Sequence, residues 1–301
     1  MIGGRDFGAY VEIDPPNEFN AEECLVFLRR SDLESTHHVI GSEIYKGIKL
    51  SGEKLALKIR LEDNRIRIGF LPDPPSAEWR RKAALFVREW LDLDRDLSVF
   101  YEAASKDSLL ERIVPRYYGL RLIGIPDLFE ALTWAVIGQQ INLKFAYTLK
   151  KRFVEFFGES IETEEGSFRL FPEPGRIEAL QPEELRPLQF TWRKAEYVIG
   201  IAKAVVERKI SKHGLQALPQ EKARAQLLEL KGVGAWTADY TAMKCLRDTT
   251  AFPAADAGLH QALKRELEMD RKPKPEELQQ LQQEWAPFQA YAVFYLWRSL
   301  L

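Results

Sequence analysis

Residues 227–263 read LLELKGVGAWTADYTAMKCLRDTTAFPAADAGLHQAL, and this segment decides how the rest of the chain is interpreted. Its first half predicts a helix, a glycine hairpin at residues 230–234 and a second helix that begins near Thr237. Two glycines around one apolar residue allow a turn with positive φ, which leaves backbone N–H groups pointing outward where a helix starts. Because these amides and the helix dipole both favour an anion, the hairpin is predicted to hold a phosphate.

A single carboxylate, Asp256, follows the hairpin after the apolar stretch FPAA at residues 252–255. A phosphate-binding turn followed by a lone carboxylate indicates an enzyme that holds a nucleic-acid backbone and performs acid–base chemistry beside it. The residues alone leave a second role open, because aspartate is also a common N-cap and a helix is predicted to begin near Ala257. Asp239 is the nearest rival, but it falls inside the second hairpin helix, where a solvated or structural role is expected.

The bulk composition is that of an ordinary globular protein. The 301 residues are 46% hydrophobic and 29% charged, which allows a full core and predicts two domains. The formal net charge of -2 gives no overall nucleic-acid signature, so DNA binding has to come from a local patch. Residues 139–154 hold four basic and no acidic side chains, and such a patch can follow a phosphate backbone or form a solvated helix face.

The cysteine and histidine content predicts neither metal binding nor disulfides. The two cysteines, Cys24 and Cys245, cannot build a four-cysteine iron–sulfur or zinc site, and they predict no disulfide framework. The four histidines show no metal-ligand spacing. No hydrophobic run reaches transmembrane length and no signal peptide is evident, so we expect a cytoplasmic protein without membrane contact.

The chain predicts two regions of different secondary structure. Residues 36–70 alternate apolar and polar side chains in short runs with turn residues between them, which indicates an antiparallel sheet. Helical patterns at residues 20–30 and 78–91 flank it, and no long strand is predicted beyond the second of them. We therefore predict an α+β N-terminal domain at residues 1–103, an antiparallel sheet with helices, followed by an all-α domain at residues 104–301.

Two motifs carry a resemblance to a known family. The sequence LKGVGAWTADY at residues 230–240, followed by Asp256, resembles the helix-hairpin-helix (HhH-GPD) superfamily of DNA glycosylases. The segment LFEALTWAVIGQQ at residues 128–140 is similar to the helix and turn that precede the family's intercalating residue. Within the superfamily the chain most resembles the bacterial alkylated-purine branch, DNA-3-methyladenine glycosylase II. The resemblance implies that the all-α region is a helix-hairpin-helix glycosylase domain built of two helical subdomains.

Two absences narrow the branch that the chain resembles. Members that also cleave the DNA backbone have a lysine two residues after the second hairpin glycine, where this chain has Trp236. Since an amine is needed to form a Schiff base with the deoxyribose, the resemblance implies a monofunctional enzyme without lyase activity. The branches that end in a four-cysteine iron–sulfur loop are excluded by the cysteine count.

The resemblance assigns the chemistry to one carboxylate and three aromatic side chains. Asp256 is implied to be the catalytic residue, which stabilises the positive sugar as the base leaves and orients or deprotonates the attacking water. Trp236, Tyr240 and Trp297 are implied to form the base pocket, where a cationic base gains about 0.5–2 kcal/mol per cation–π contact. Without the resemblance, aromatic residues on amphipathic helices would be expected in the core.

Two further positions stay open between alternatives. The resemblance implies an aromatic contribution to the pocket from the first-domain helix, and Leu25 and Phe27 compete for that position. Gln140 takes the place at which the family inserts a side chain into the gap left by the flipped nucleotide, with Ile141 as the alternative DNA wedge. A well-known bacterial member has leucine there, so Gln140 departs from its pattern, and a plain turn residue is the other interpretation.

The hairpin is implied to bind the DNA backbone on the 3′ side of the lesion. Lys231, Gly232, Val233 and Gly234 would hold a phosphate there through their backbone amides and the lysine charge. The resemblance also implies a monovalent cation held by hairpin carbonyl oxygens, and no other metal or cofactor is expected. Hairpins of this kind also occur in DNA-binding modules without enzyme activity.

The motifs together predict a monofunctional DNA glycosylase. It would flip and excise alkylated purines such as 3-methyladenine and 7-methylguanine in base excision repair, leaving an abasic site. The alternatives are a glycosylase for oxidised or deaminated purines, of the 8-oxoguanine type, and a non-catalytic helix-hairpin-helix DNA-binding protein. The expected partner is double-stranded DNA that contains damaged purines. We expect a monomer of bacterial or archaeal type, cytoplasmic and associated with the nucleoid.

Overall fold

The computed structural model describes residues 4–301, so the first three residues of the predicted N-terminal domain lie outside it. The N-terminal region is built around a six-stranded sheet in which every neighbouring pair of strands is antiparallel, in the order β1-β2-β6-β5-β4-β3. The predicted antiparallel sheet is thereby confirmed. Its strands are β1 (Arg5–Asp6), β2 (Tyr10–Ile13), β3 (His37–Ile40), β4 (Glu43–Leu50), β5 (Glu53–Glu62) and β6 (Arg65–Leu71).

One face of this sheet is buried because its strands alternate apolar and polar residues. In β5 the side chains of Leu57, Ile59 and Leu61 are buried. Since successive side chains of a strand point to opposite faces, these three share one side of the sheet. They lie in one core with helices α1 (Ala21–Leu28) and α2 (Ala77–Trp90), which confirms the predicted α+β arrangement.

The rest of the chain is mainly helical, and helices begin where the sequence offers a cap. Asp127 and Asn142 each accept a hydrogen bond from the backbone N–H three residues on, at 2.7 Å and 2.8 Å. The chain also contains 3-10 turns at Val114–Tyr117 and Arg186–Leu188 and a π-helical turn at Ala242–Leu246. The remaining helices are α3 (Ser98–Ala104), α4 (Leu110–Ile113), α5 (Leu128–Gly138), α6 (Leu143–Phe157), α7 (Pro174–Ile177), α8 (Pro182–Leu185), α9 (Trp192–Val206), α10 (Lys212–Gln216), α11 (Gln220–Leu228), α12 (Ala235–Thr241), α13 (Ala257–Glu266), α14 (Pro275–Glu284) and α15 (Gln289–Arg298).

A small hairpin interrupts the helical region, where the sequence predicts no long strand. Strands β7 (Ser160–Thr163) and β8 (Gly166–Arg169) pair antiparallel after α6. Phe168 of β8 stacks on Tyr45 of β4 with 5.9 Å between ring centroids, so the hairpin packs against the N-terminal sheet. Strands of four residues give too few alternations for a sequence pattern to reveal them.

The buried apolar side chains fall into two cores. The first combines the sheet and α1–α4 with the last helices, α13–α15, and the second combines helices from α5 to α12. The helices are thus divided between two hydrophobic cores, which agrees with the predicted division of the helical domain into two subdomains. The predicted boundary between residues 103 and 104 stays a prediction; Phe100 and Leu110, on either side of it, lie in the same core.

A buried ion cluster, formed by Lys150, Glu34 and Glu130, joins the N-terminal region to the helices. Lys150 of α6 donates to both carboxylate oxygens of Glu34 at 3.1 Å and lies 3.1 Å from Glu130 of α5. Burial opposes the charge of Glu34, but Lys150, His37 and Thr36 together hold the pKa of its carboxyl well below the usual value. The cluster therefore fixes the N-terminal region against α5, the helix that leads into the predicted wedge turn.

Candidate active site

The glycine hairpin has the backbone geometry that its sequence predicts. Gly232 has a φ of +91°, and a Cβ atom there would lie 2.2 Å from the ring of Tyr197 on α9. Val233 donates its N–H to the carbonyl of Leu230 at 3.0 Å, which closes the turn. Gly234 is the N-cap of α12 and has an extended backbone. The first amides of α12 therefore have no partner within their own helix, as a phosphate site requires.

Gln139 ties this hairpin to the end of α5. Its side-chain Nε2 donates to the Gly232 carbonyl at 2.9 Å and to the Thr237 hydroxyl at 3.0 Å. Lys194 of α9 is buried and donates to the carbonyl of Ile137, in the last turn of α5, at 2.7 Å. These two side chains fix the turn after α5 relative to the hairpin.

The predicted DNA wedge lies at this turn. Gln140 is exposed and has a φ of +57°, a left-handed conformation that is uncommon for residues other than glycine. Ile141 is half-buried and packs against the second core. Backbone strain that the surrounding structure maintains is typical of functional positions. The exposed side chain and the left-handed backbone of Gln140 thus favour it over Ile141 as the wedge. The wedge role of either residue stays a prediction.

Lys231, the charged residue of the hairpin, is paired with an acid. Its Nζ lies 3.0 Å from a carboxylate oxygen of Glu196 on α9, and its side chain is 75% exposed. Trp192 donates its indole N–H to the other oxygen of the same carboxylate at 3.1 Å. An exposed pair of this kind contributes little to stability and opens readily, so a phosphate would compete with Glu196 for Lys231.

Asp256 accepts three hydrogen bonds from neutral donors. The indole N–H of Trp236 donates to Oδ2 at 2.9 Å, and that of Trp297 donates to Oδ1 at 2.8 Å. The backbone N–H of Leu259 donates to Oδ1 at 2.7 Å, so Asp256 is also the N-cap of α13. A carboxylate accepts about four hydrogen bonds, which leaves one position on Oδ2 for a further partner. The N-cap role and an active-site role, left open by the sequence, are compatible in this one side chain.

The three predicted pocket aromatics form one continuous surface, here termed the aromatic wall. The ring centroids of Trp236 and Tyr240 are 5.4 Å apart, and those of Tyr240 and Trp297 are 6.0 Å apart. Tyr240 is buried and accepts a hydrogen bond from the indole N–H of Trp134 at 2.9 Å. Burial raises the pKa of Tyr240, so its phenol stays neutral at physiological pH. Trp297 comes from α15 and packs against both cores, which places the wall where the two cores meet.

Of the two first-domain residues that compete for the pocket, Phe27 is the one that is linked to the aromatic wall, through the ring of Phe294 on α15. Its ring centroid lies 4.5 Å from that of Phe294, which lies 6.3 Å from that of Trp297. Both residues are packed in the first core, and Phe27 also lines a cavity that it shares with Trp134 of the helical region. These contacts favour Phe27, and a contribution of either residue to the base pocket stays a prediction.

Asp239, the other candidate for the catalytic carboxylate, forms a salt bridge with an arginine. Arg224 of α11 donates through Nε to Oδ1 at 2.5 Å and through Nη2 to Oδ2 at 3.1 Å. Burial raises the pKa of Asp239, although the Arg224 charge opposes that change. The bidentate pair joins the two helices that flank the hairpin, α11 and α12, in agreement with the structural role expected for Asp239.

Three residues of the site carry no recognisable signal in the sequence. Gln139 and Trp134 belong to the motif at residues 128–140, but nothing in that motif indicates that Gln139 reaches the hairpin or that Trp134 reaches Tyr240. Tyr197 lies on a helix whose apolar pattern predicts only core packing. All three act through partners that are distant in sequence, so the spacing of residues could not have identified them.

Within residues 4–301, no group of three or more His, Cys, Asp and Glu side chains is placed to hold a metal ion. No helix in the same range is both long and apolar enough to cross a membrane. The predicted hairpin cation stays a prediction; the carbonyl oxygens of Leu230 and Gly232, which it could use, already accept hydrogen bonds from Val233 and Gln139.

Gly232 is the hairpin residue with the least room for a side chain. We expect Gly232→Ala to lower the free energy of unfolding by about 3 kcal/mol, because positive φ costs about 1–2 kcal/mol and the overlap with Tyr197 adds a similar amount. DNA affinity should fall as well, since the displaced turn no longer presents its amides. Urea unfolding measures the first effect, and fluorescence anisotropy with a labelled duplex measures the second.

Gly52→Ala is the matched control for this variant. Gly52 has a φ of +92°, but an added Cβ would meet nothing within 4 Å, so only the backbone penalty applies there. We expect its loss of stability to be about half as large, with unchanged DNA affinity. Equal losses in the two variants would contradict the claim that Tyr197 constrains the hairpin.

Two family models match the chain and together cover most of it. The model described as "HhH-GPD superfamily base excision DNA repair protein" matches residues 133–288. The model described as "8-oxoguanine DNA glycosylase, N-terminal domain" matches residues 15–132. In sequence, the chain is 41% identical over 293 residues to the DNA-3-methyladenine glycosylase of Bacillus subtilis, with 96% of this chain and 97% of that protein covered.

Solved structures of similar fold cover nearly the whole chain. The 3-methyladenine DNA-glycosylase from Archaeoglobus fulgidus superposes with a TM-score of 0.84 and 25% identity, over 95% of this chain and 96% of that one. The 8-oxoguanine glycosylase/lyase of Clostridium acetobutylicum superposes with a TM-score of 0.75 and 16% identity, over 99% and 98% of the two chains. At 16% identity, the similarity to this second structure concerns the fold alone.

Proposed function

The chain belongs to the HhH-GPD superfamily of base excision DNA repair proteins, and we propose that it is a monofunctional glycosylase that excises alkylated purines from double-stranded DNA. The similarity to a 3-methyladenine glycosylase along 96% of the chain supports the substrate class. The products are the free base and an abasic site. The substrates that we propose are 3-methyladenine and 7-methylguanine.

The reaction begins with a base that is already a good leaving group. Alkylation at N3 or N7 gives the purine a positive charge, which weakens its glycosidic bond. When the bond between C1′ and N9 breaks, its electron pair goes to the base, which leaves neutral, and positive charge develops on the sugar. Asp256 stabilises that charge in a site with little water, where the interaction is stronger than in bulk solvent. A water molecule then adds at C1′, and its proton passes to the carboxylate or to solvent.

The setting of the Asp256 carboxylate is the observation that carries this proposal. Two indole N–H groups and one backbone N–H orient it, and because these donors are neutral, its negative charge is not cancelled by a cation. The same two indoles, of Trp236 and Trp297, belong to the aromatic wall. The charge that stabilises the sugar and the surface that receives the base are therefore built from shared side chains.

The proposal of no lyase activity rests on position 236. An amine at that position would be needed to attack C1′, whereas the indole of Trp236 has no nucleophilic nitrogen and donates to Asp256 instead. The match of the N-terminal region to an 8-oxoguanine glycosylase domain concerns architecture rather than the reacting groups. We therefore rank excision of oxidised purines below excision of alkylated ones.

The contacts with DNA follow from the placement of the hairpin and the wedge turn. We propose that the amides of Gly232 and Gly234, together with Lys231, bind the backbone while the Val233 N–H closes the turn, and that Gln140 fills the gap left by the flipped nucleotide. The hydrogen bond from Gln139 to the hairpin fixes the turn that carries Gln140, which supports the wedge role. The protein would act as a monomer on chromosomal DNA in the cytoplasm, without a required cofactor.

An excision assay tests the reaction and the absence of lyase activity together. We expect the purified protein to release 3-methyladenine and 7-methylguanine from methylated duplex DNA, because both bases leave neutral once the glycosidic bond breaks. Chromatography of the released bases measures the first activity, and denaturing gels measure strand scission. The strands should stay intact until hot alkali is added.

Two outcomes of this assay would contradict the proposal in different ways. Strand scission before alkali would refute the monofunctional claim and leave the substrate class standing. Release of 8-oxoguanine from a matched duplex, with neither methylated purine released, would move the protein to the oxidised-purine class.

A further inference from the structure

Gly258 lies in the first turn of the helix that Asp256 caps, and the proposed chemistry does not use it. It is the second residue of α13, and its backbone is helical. Unlike Gly232, it has no positive φ. Glycine is also a poorer helix former than alanine. Backbone conformation therefore does not call for a glycine at this position, and the feature that does is the space around it.

That space is occupied by the Asp256 carboxylate and the Trp297 indole. A Cβ atom added at Gly258 would lie 3.0 Å from Oδ1 of Asp256 and 3.2 Å from both Cδ1 and Nε1 of Trp297. Carbon atoms in contact are normally about 3.5–4.0 Å apart. Because a helical Cα–Cβ bond tilts toward the N-terminus of its helix, a side chain here points back at the capping residue. Any side chain at position 258 would therefore press on both groups.

The two groups that this Cβ atom would meet are hydrogen-bonded to each other. Nε1 of Trp297 donates to Oδ1 of Asp256 at 2.8 Å. The same oxygen accepts the backbone N–H of Leu259 at 2.7 Å, which fixes it at the start of α13. The indole thus lies against the first turn of the helix, and the missing side chain of Gly258 leaves room for it there.

The Trp297 indole has little freedom to withdraw from α13. Its ring centroid lies 6.0 Å from that of Tyr240 and 6.3 Å from that of Phe294, and the residue packs against both cores. Closely packed side chains transmit a displacement to their neighbours. An indole pushed away from α13 would therefore lengthen its hydrogen bond to Asp256 and disturb the aromatic wall at the same time.

We propose that Gly258 is a positioning residue of the active site, whose missing side chain allows Trp297 to hold the Asp256 carboxylate while it forms part of the aromatic wall. The inference rests on the proposed function, in which Asp256 stabilises the sugar and the wall receives the base. A side chain at position 258 would displace these groups relative to the flipped nucleotide by a few tenths of an ångström. A misplacement of about 1 Å can lower a rate about 10²-fold, so this smaller shift should have a measurable effect.

Gly258→Ala should slow excision without lowering stability. We expect the single-turnover release of 7-methylguanine to fall about fivefold, because the added methyl group displaces the indole from the carboxylate. The midpoint of urea unfolding should stay close to that of the wild type, since the better helix propensity of alanine offsets the close contact. A release rate within about twofold of the wild-type value would overturn the proposal.

Gly200→Ala is the matched control, because Gly200 is also a helical glycine without positive φ. It lies in α9, and an added Cβ would meet nothing within 4 Å. We expect this variant to release 7-methylguanine at the wild-type rate and to be at least as stable as the wild type. An equal loss of rate in the two variants would overturn the proposal, since the space at Gly258 would then not be the cause.

A Trp297→Phe background tests whether Gly258 acts through the indole. Phenylalanine lacks the Cδ1–Nε1 edge that the added methyl group would meet. Adding Gly258→Ala to Trp297→Phe should therefore lower the release rate by less than about twofold further. The same fivefold loss in both backgrounds would overturn the proposal, because the two positions would then act independently.

The indole N–H signals in nuclear magnetic resonance spectra test the geometry without the reaction. The Trp297 signal, identified by its loss in Trp297→Phe, should move upfield in Gly258→Ala, because a longer hydrogen bond to a carboxylate deshields the proton less. The Trp236 signal should move less, since Trp236 donates to the other oxygen, Oδ2. An unchanged Trp297 signal would overturn the proposal. Failure of the proposed function is distinguishable, because the wild-type protein would then release neither methylated base while these signals still test Gly258.

Discussion

Replacing Asp256 with asparagine should slow the excision of 7-methylguanine about 10³-fold and leave DNA binding nearly unchanged. The substitution removes the negative charge that, in the proposed mechanism, stabilises the developing positive sugar, an effect of about 4 kcal/mol in a site with little water. Asparagine caps helices as well as aspartate does, so the backbone N–H of Leu259 keeps its acceptor and α13 keeps its start. Single-turnover kinetics with excess protein measure the rate, and anisotropy with an abasic-site duplex measures binding.

Asp107→Asn is a closely matched control for this experiment. Asp107 also accepts a backbone N–H at a helix start, from Leu110 at 2.8 Å, and an indole N–H, from Trp285 at 3.0 Å, but it lies outside the site. We expect its excision rate to stay within about twofold of the wild type, because the same loss of charge occurs away from the sugar and the helix cap is kept in both variants. If Asp256→Asn retained more than a tenth of the wild-type rate, the catalytic assignment would be wrong.

Replacing Lys150 with methionine should lower the free energy of unfolding by about 3–5 kcal/mol. The substitution leaves the carboxylates of Glu34 and Glu130 buried without the cation that pairs directly with both of them. Removing one partner of a buried ion pair costs this much because the remaining charge has lost its contact with water and gains nothing in return. Urea unfolding followed by circular dichroism measures the change.

Lys106→Met is the surface counterpart of this variant. Lys106, in the turn after α3, pairs with Glu102 of α3 at 2.7 Å, and both side chains are about 70% exposed. Exposed pairs contribute about 0–1 kcal/mol, so stability should be nearly unchanged. The double variant Lys150→Met with Glu34→Gln should recover part of the loss, because one of the two stranded charges is then removed. A loss below 1 kcal/mol in Lys150→Met would show that the cluster does not join the two regions as described.

The local features of the site could be predicted because they depend on residues close together in the chain. The hairpin at residues 230–234 follows from two glycines around one apolar residue, and the start of α13 follows from an aspartate before a helical pattern. The alternation of apolar and polar side chains in residues 36–70 predicted the antiparallel sheet, because this pattern also depends on residues close together in the chain. The hairpin of β7 and β8 could not be predicted, because its strands are too short to show a period.

The sequence by itself therefore determined the fold class, the turn that presents amides at a helix start, and the family to which the chain belongs. The tertiary structure alone decided which side chains meet. Asp256 receives indole donors from residues 20 positions before it and 41 positions after it, and Lys150 meets Glu34 across 116 positions. Residue spacing shows which face of a helix a side chain occupies, but the partner on that face depends on how whole elements pack. The two cores meet at the aromatic wall, and that packing brings the Asp256 carboxylate and the three aromatic side chains together.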